Sequence, residues 1–385
     1  MKRQGGDVFQ ILEGTFVYWK CLGKKINISR ILFGMGLLLI GISKLWKFNY
    51  GEDTIFLVTG LALLLLKIVT DNTYTERQMA CLIFVFFLGM LIFLKTGEMN
   101  PFTLFILLFS MKGIEVHRAL KVLLAVNMVF FVGTLLLCRM GFIYDDVYYF
   151  SRPGQILARH SYGLGHPNQV FMRFFLLSAI MLACVRGKYH RMKMVLIFAA
   201  AVVLYKGTDS RSGFVCTLLL LLAVGLLDIN VGKIRQILSV GMLAAYSAVV
   251  ILPVVFLVWN GNLVQAIDRA LTGRISLARK FLELYSLSVF GAARNISNGF
   301  VVDNSYMYII IHYGIAFYIL YIAAVGCLLY AMYRKKMAYE VTAVTVLHIY
   351  AFIECVLINP VFNFSVLYAG AFFMNHVSKK KRWRS

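Results

Sequence analysis

The chain has 385 residues, of which 61% are hydrophobic and 15% charged, and its 39 Lys and Arg against 17 Asp and Glu give a formal net charge of +22. A soluble domain carries about 25% charged residues, so this composition leaves too little polar surface for a water-soluble globule. Period-2 alternation is absent, which argues against a β-barrel.

The apolar residues fall instead into stretches of about 17 to 25, the length an α-helix needs to cross hydrocarbon. In chain order they predict twelve spans, near 28–46, 54–70, 79–95, 101–112, 119–138, 168–185, 192–207, 213–228, 237–259, 305–331, 340–358 and 361–377. The expected fold is an all-α polytopic bundle forming one membrane domain over 1–385. The fourth stretch is short for a full crossing and suits a tilted or re-entrant helix. Upstream, within 1–27, Val8, Ile11, Leu12, Phe16 and Trp19 recur at helical spacing among polar neighbours, as in a helix lying in the headgroup plane. No cleavable signal peptide is evident, because the first long apolar run begins near Ile31 and leads into further spans.

Orientation follows from Lys and Arg, which collect in cytoplasmic segments. With twelve spans and a cytoplasmic N-terminus, 25 of the 39 basic residues lie on the cytoplasmic side, including Lys379 to Arg384 in the tail 378–385. Both termini are therefore expected in the cytoplasm, and the basic tail reads as an anchor to anionic lipid and not as a nucleic-acid arm. Of the remaining 14, ten lie in three outer segments or the adjoining helix ends: Arg152, Arg159, Arg173, Lys206, Arg211, Arg269, Arg274, Arg279, Lys280 and Arg294. Positive charge on the translocated side suits an anion held at the outer face, and arginine forks match phosphate oxygens. The plainer reading is a solvated surface, since long loops translocate largely regardless of charge.

Two outer loops interrupt the spans. The first, 139–167, holds Asp145, Asp146, four tyrosines and Gly163-Leu164-Gly165-His166-Pro167-Asn168. The second, 260–304, carries Leu271-Thr272-Gly273-Arg274-Ile275 and ends on Asp303-Asn304-Ser305-Tyr306. Its middle, with Leu263, Ile267, Leu271, Ile275, Ala278, Leu282 and Tyr285, predicts one amphipathic helix on the outer surface. Between the seventh and eighth spans stands Thr208-Asp209-Ser210-Arg211-Ser212-Gly213, where Asp209 is close enough to partner Arg211. Glu354 falls within the eleventh predicted span, before Asn359-Pro360 and Phe362-Asn363-Phe364. An ionisable group there is a functional candidate, or a polar lock between helices.

Other chemistries are disfavoured. The seven cysteines are scattered singly without zinc spacing and read as small packing residues. A Walker A sequence, a dinucleotide-binding glycine pattern and HExxH are all missing, so neither a metal nor a cofactor is expected. Internal repeats are not visible, which counts against the repeat-built transporters.

The order Gly-His-Pro-Asn before a span, Ser-Arg-Ser-Gly between two spans, Gly-Arg-Ile in a large outer loop and Asp-Asn-Ser-Tyr opening the next span resembles the Wzy-type polysaccharide polymerases, relatives of the O-antigen ligases. The resemblance covers roughly residues 100 to 370. It implies a GT-C-like, metal-independent glycosyltransferase at the outer face of the cytoplasmic membrane, joining repeat units carried on a polyprenyl diphosphate. Its partners would be the lipid-linked donor and acceptor, membrane lipid, a flippase and a chain-length regulator. By this resemblance Arg211 and Arg274 hold the diphosphate; Arg279 and Arg294, among the basic residues of the outer segments, are further candidates to bind it. Asp303 stands where the ligases commonly have a histidine, so the base is either Asp303, the favoured choice, or His166. Asn168, Asp209, Asn304, Tyr306, Glu354 and Asn363 would bind sugar or support the site. Two other readings share the diphosphate grip: a ligase moving finished glycan to another acceptor, and a flippase. A flippase should bear cations deep among its helices, and the spans place few there.

Overall fold

The computed structural model describes residues 18–21, 24–50, 54–71, 74–152, 155–184, 186–187, 189–229, 231–259, 261–292 and 302–375. A helix forms at each of the twelve predicted stretches. After an antiparallel hairpin of β1 (Tyr18–Cys21) and β2 (Lys24–Asn27), the first five are α1 (Ile28–Tyr50), α2 (Thr54–Thr70), α3 (Glu76–Thr96), α4 (Asn100–Ser110) and α5 (Val116–Arg139). An antiparallel hairpin of β3 (Val147–Arg152) and β4 (Gln155–His160) separates them from α6 (Pro167–Cys184), α7 (His190–Thr208), α8 (Arg211–Asp228) and α9 (Gly232–Val258). The short helices α10 (Asn262–Ala270) and α11 (Arg274–Tyr285) come next. Then α12 (Ser305–Tyr308), a π-helical turn (Ile309–Tyr313) and α13 (Gly314–Arg334) run on in sequence, before α14 (Ala338–Ala351) and α15 (Ser365–Asn375).

Among the described residues, six helical stretches are long and apolar enough to cross a membrane: Ile28–Leu45, Glu76–Thr96, Val116–Arg139, Arg211–Asp228, Gly232–Val258 and Ser305–Arg334. That is half the predicted number. The helices α2, α4 and α6 are apolar but shorter, and α4, with 11 residues, reaches only about 16 Å at 1.5 Å per residue. The chain is thus a largely helical membrane protein. Its outward faces agree, since α3 alone exposes Ile83, Phe84, Phe87 and Leu94, the reverse of a soluble helix.

Close packing follows from small residues. A Cβ on Gly36 of α1 would stand 3.0 Å from the carbonyl oxygen of Gly60 in α2, so these helices approach at backbone distance. Helix α14 is deeply enclosed, packed by α6, α8, α9 and α13 and buried without interruption from Glu340 to His348.

Hydrogen bonds fix two opposite faces of the bundle. At one, the Ser29 hydroxyl at the start of α1 reaches Asp71 after α2, Gln78 of α3 bonds the carbonyls of Phe373 and Met374, and Asn375 of α15 receives the Gly113 N–H. The start of α1 and the end of α15 therefore share a face. From Gln78, α3 climbs about 30 Å to Glu98, which accepts the Tyr308 and Tyr313 hydroxyls at 2.6 Å each. This second face carries the motifs of the two predicted long loops.

Three expectations need correction here. Trp19 lies in a β-strand (Tyr18–Cys21) paired antiparallel with Lys24–Asn27, not in an interfacial helix; Val8, Ile11, Leu12 and Phe16 lie outside the described residues. The large loop forms two helices and not one, because Thr272 and Gly273 both adopt positive φ, 59° and 80°, and break the helical path. Its buried stripe is also offset, running through Val264, Ile275, Ala278 and Phe281, while Leu263 is exposed. Finally, the helix at the eleventh predicted stretch ends at Ala351 and the helix at the twelfth starts at Ser365, and neither is among the six long enough to cross. The intervening Phe352–Phe364 segment is non-helical because tertiary partners take its backbone groups. Irregular backbone is sustainable at depth only when enclosed in this way.

Candidate functional site

The non-helical segment carries Glu354, which is buried and gathers donors from three distant parts of the chain. Its Oε1 accepts from Asn168 Nδ2 at 3.0 Å, Ser212 Oγ at 3.1 Å and Arg274 Nη2 at 3.1 Å. Each donor sits at or beside a helix start: Asn168 in α6, Ser212 in α8 and Arg274 in α11. Helix starts are where short polar residues collect to serve unpaired N–H groups. Here those residues also turn toward a common carboxylate.

Arg274 is aimed by its own loop. The Asp268 carboxylate of α10 accepts the N–H groups of Ile275 and Ser276 at 2.7 and 3.2 Å, capping α11 from outside. The guanidinium then meets Asp303 through Nε at 3.2 Å, Glu354 through Nη2, and the Ile353 carbonyl through Nη1.

Asp303 is held by the residues after it. Asn304 caps α12, its Oδ1 accepting from the N–H groups of Tyr306 and Met307 at 2.9 and 3.0 Å, while its Nδ2 donates to the Phe352 carbonyl at 2.7 Å. Ser305 Oγ donates to the Glu354 carbonyl at 2.8 Å and accepts from the N–H groups of Val356 and Leu357. The Asp-Asn-Ser run thus pins the loop that carries Glu354.

The loop between α5 and α6 supplies the remaining wall. Tyr162, Gly163 and Gly165 have positive φ, and the glycines allow this turn into Pro167 without a Cβ penalty. His166 is exposed, and its Nδ1 accepts the Asn168 N–H at 3.2 Å, capping α6. A neutral imidazole has one acceptor nitrogen, so Nε2 carries the proton. Desolvation first, then the positive charges of Arg159 and Arg274, hold the His166 pKa below the usual imidazole value, with Asp303 opposing them. The ring is therefore neutral at neutral pH and a donor on its free side.

Arg159 of β4 completes a polar chain, donating through Nη2 to Asn168 Oδ1 at 2.7 Å and through Nε to the Thr208 carbonyl at 2.8 Å. Its place opposite Tyr148 in the hairpin turns both residues toward the same loop, where the Tyr148 hydroxyl donates to the Gly165 carbonyl at 2.7 Å. Asp145 locks the hairpin base by accepting the Tyr162 N–H and contacting His160 Nδ1, both at 2.7 Å.

The structure therefore brings together Asn168, Arg274, Asp303, Asn304 and Glu354, with His166 beside them. Arg211 stands at the rim: its side chain is 65% exposed and its Nε is 3.9 Å from Asp209, too long for a hydrogen bond. Ser212 beside it, not Arg211, touches Glu354. Gly213 permits this, since a Cβ there would stand 2.3 Å from the Phe171 Cβ. Arg279 is turned elsewhere, donating to the carbonyls of Phe256 and Trp259 at the end of α9. Tyr306 is buried with its hydroxyl on the His348 carbonyl, and Asn363 holds Tyr321 and the Leu357 carbonyl; both support the frame. Arg294 lies outside the described residues.

Sequence reasoning missed the roles of Ser212, Arg159 and Glu98. Ser212 and Arg159 stood in or beside noted motifs, but a hydroxyl or cation that acts through a distant carboxamide or carboxylate leaves no local signal. Glu98 lies in the short polar connection between the third and fourth predicted stretches, which carries no motif. An apolar cleft of about 320 Å³ between α3, α4, α13 and α15 is lined by residues such as Phe105, Phe317 and Arg77, none of them in this cluster.

No family model, curated protein or solved structure matches the chain.

Proposed function

We propose that the chain is a GT-C-like glycosyltransferase that polymerises polyprenyl-diphosphate-linked repeat units at the outer face of a cytoplasmic membrane. In this reading both ends of the chain are cytoplasmic. The observation that supports it best is the meeting of Arg274, Asp303 and Glu354, residues of two separate outer motifs and a buried turn, within hydrogen-bond distance. A cation beside two carboxylates at one face provides an anion grip and a proton acceptor together, the minimum set for displacing a diphosphate by a hydroxyl.

The acceptor hydroxyl oxygen attacks the anomeric carbon of the donor sugar, and the bond from that carbon to the diphosphate breaks. Polyprenyl diphosphate leaves with the electron pair, and the hydroxyl proton passes to Asp303. Arg274, with Arg211 at the rim, stabilises the charge growing on the leaving oxygens. His166 suits a donor role better than a base, because its one acceptor nitrogen is engaged by the Asn168 N–H. Glu354 touches the guanidinium and not the substrate, so it is a positioning residue. Incubating the purified protein with polyprenyl-diphosphate repeat units tests the reading: longer lipid-linked chains support it, and unchanged substrate refutes it.

A further inference from the structure

Arg274 has two carboxylate neighbours of very different kinds. Glu354 is 6% exposed, and its Oε1 also holds Asn168 and Ser212. It cannot leave Arg274 without unmaking contacts to α6 and α8. Asp303 is 36% exposed, and among the described residues its side chain has one polar partner, Arg274 Nε.

We infer that the two carboxylates have unequal tasks: Glu354 is the fixed counter-ion that aims Arg274, and Asp303 is an exchangeable counter-ion that an incoming diphosphate displaces. This rests on the diphosphate reading above. The Arg274 side chain is 16% exposed, and its Nη1 and Nη2 each donate to the protein, to the Ile353 carbonyl and to Glu354. The Nε edge is closed by Asp303. A phosphate that takes this fork side-on, through Nε and the Nη N–H beside it, therefore approaches where Asp303 sits. Two anions cannot share that edge without repulsion, and the exposed, singly held one yields.

The exchange gives the site an order. While Asp303 is paired with Arg274 its carboxylate is occupied by the guanidinium edge and not by an acceptor hydroxyl. Once the diphosphate takes the guanidinium, Asp303 is released beside the reacting centre with its carboxylate free. The base thus becomes available only after the donor has bound, and the acceptor hydroxyl is activated second.

The exchange has a sign that a purely supporting role does not. Asp303→Asn keeps an oxygen of similar shape but removes the competing charge, so it should bind a prenyl diphosphate roughly tenfold more tightly than the wild type. Asp303→Ser should shift the same way. Glu283→Gln removes an exposed charge from the same loop and should change binding less than about twofold.

The probe is farnesyl diphosphate, titrated into the full-length protein in detergent by calorimetry. Tighter binding by both Asp303 variants with little change in Glu283→Gln is the expected result. Equal or weaker binding by folded Asp303→Asn, or equal tightening in Glu283→Gln, overturns the exchange while leaving the diphosphate site intact. A wild type that does not bind farnesyl diphosphate overturns the diphosphate reading, and the exchange with it.

Discussion

Arg274 Nη2 and Glu354 Oε1 lie 3.1 Å apart across a sequence separation of 80 residues, and the same oxygen reaches Ser212, 142 residues from Glu354, and Asn168, 186 residues away. One buried carboxylate therefore sets the mutual positions of two helices of the bundle and the loop that carries α10 and α11.

The first expectation concerns the arginines. Arg274→Lys keeps the charge but cannot serve Asp303, Glu354 and the Ile353 carbonyl from one planar fork. Polymerisation should fall by about 10², measured as initial rate on lipid-linked repeat units. Arg211→Lys, at an exposed and loosely paired position, should cost less, on the order of tenfold. A larger loss in Arg211→Lys than in Arg274→Lys would reverse their ranking.

The second separates the two base candidates. Asp303→Asn should lower turnover by roughly 10² or more, while His166→Ala should be milder, because His166 Nδ1 already accepts the Asn168 N–H. Near-normal turnover in Asp303→Asn with an inactive His166→Ala would assign the proton to His166.

Much of this cluster was legible in the sequence, and the reasons are local. Asp303 and Asn304 were readable because a cap before an apolar run has a recognisable spelling. Arg274 was readable as a cation next to a glycine break on the translocated side. Glu354 was flagged for a different environment: it was expected inside a helix, and it sits in a non-helical turn whose backbone is held by Asn304 and Ser305. Those bonds cross about 50 residues of chain, and no periodicity encodes them. The β3–β4 hairpin was missed because it is short and its tyrosines read as loop residues. Arg279 was counted as a site cation from its charge alone, whereas its geometry serves the end of α9.

Glu354 itself gives a third expectation. Glu354→Ala leaves Arg274 with a single carboxylate partner and leaves Asn168 and Ser212 without an acceptor, so it should destabilise the protein by about 3 kcal/mol. Glu354→Gln retains an acceptor oxygen and should cost less than half of that, on the order of 1 kcal/mol. Thermal unfolding in detergent reads the difference. Equal midpoints for both variants and the wild type would remove Glu354 from its positioning role.

A fourth concerns pH. His166 has its pKa held below the ordinary value, so between that lowered value and about 6.5 the unfolded chain binds more protons than the folded one. The contribution of this group to stability is therefore full above about pH 6.5 and is lost as the pH falls toward the folded-state value. Protonating Nδ1 also breaks the α6 cap. The wild type should lose more of its thermal midpoint between about pH 7 and about pH 5 than His166→Ala does; parallel losses would show that this histidine does not titrate as described.

The fifth is topological. In a cysteine-free background, Asn262→Cys at the start of α10 should react with a membrane-impermeant thiol reagent on intact cells, and Lys336→Cys between α13 and α14 should react only after the membrane is opened. The opposite pattern would put the Arg274 cluster on the cytoplasmic side, away from a lipid-linked substrate displayed outside.

Elongation by the purified protein bears most directly on the proposed activity. The wild type, given polyprenyl-diphosphate repeat units and no nucleotide or metal, should produce a ladder of longer lipid-linked glycans, and Arg274→Lys prepared in parallel should produce roughly 10²-fold less. Substrate left at one repeat unit by folded wild-type protein, or an undiminished ladder from Arg274→Lys, would contradict glycosyl transfer at the Arg274–Asp303–Glu354 cluster.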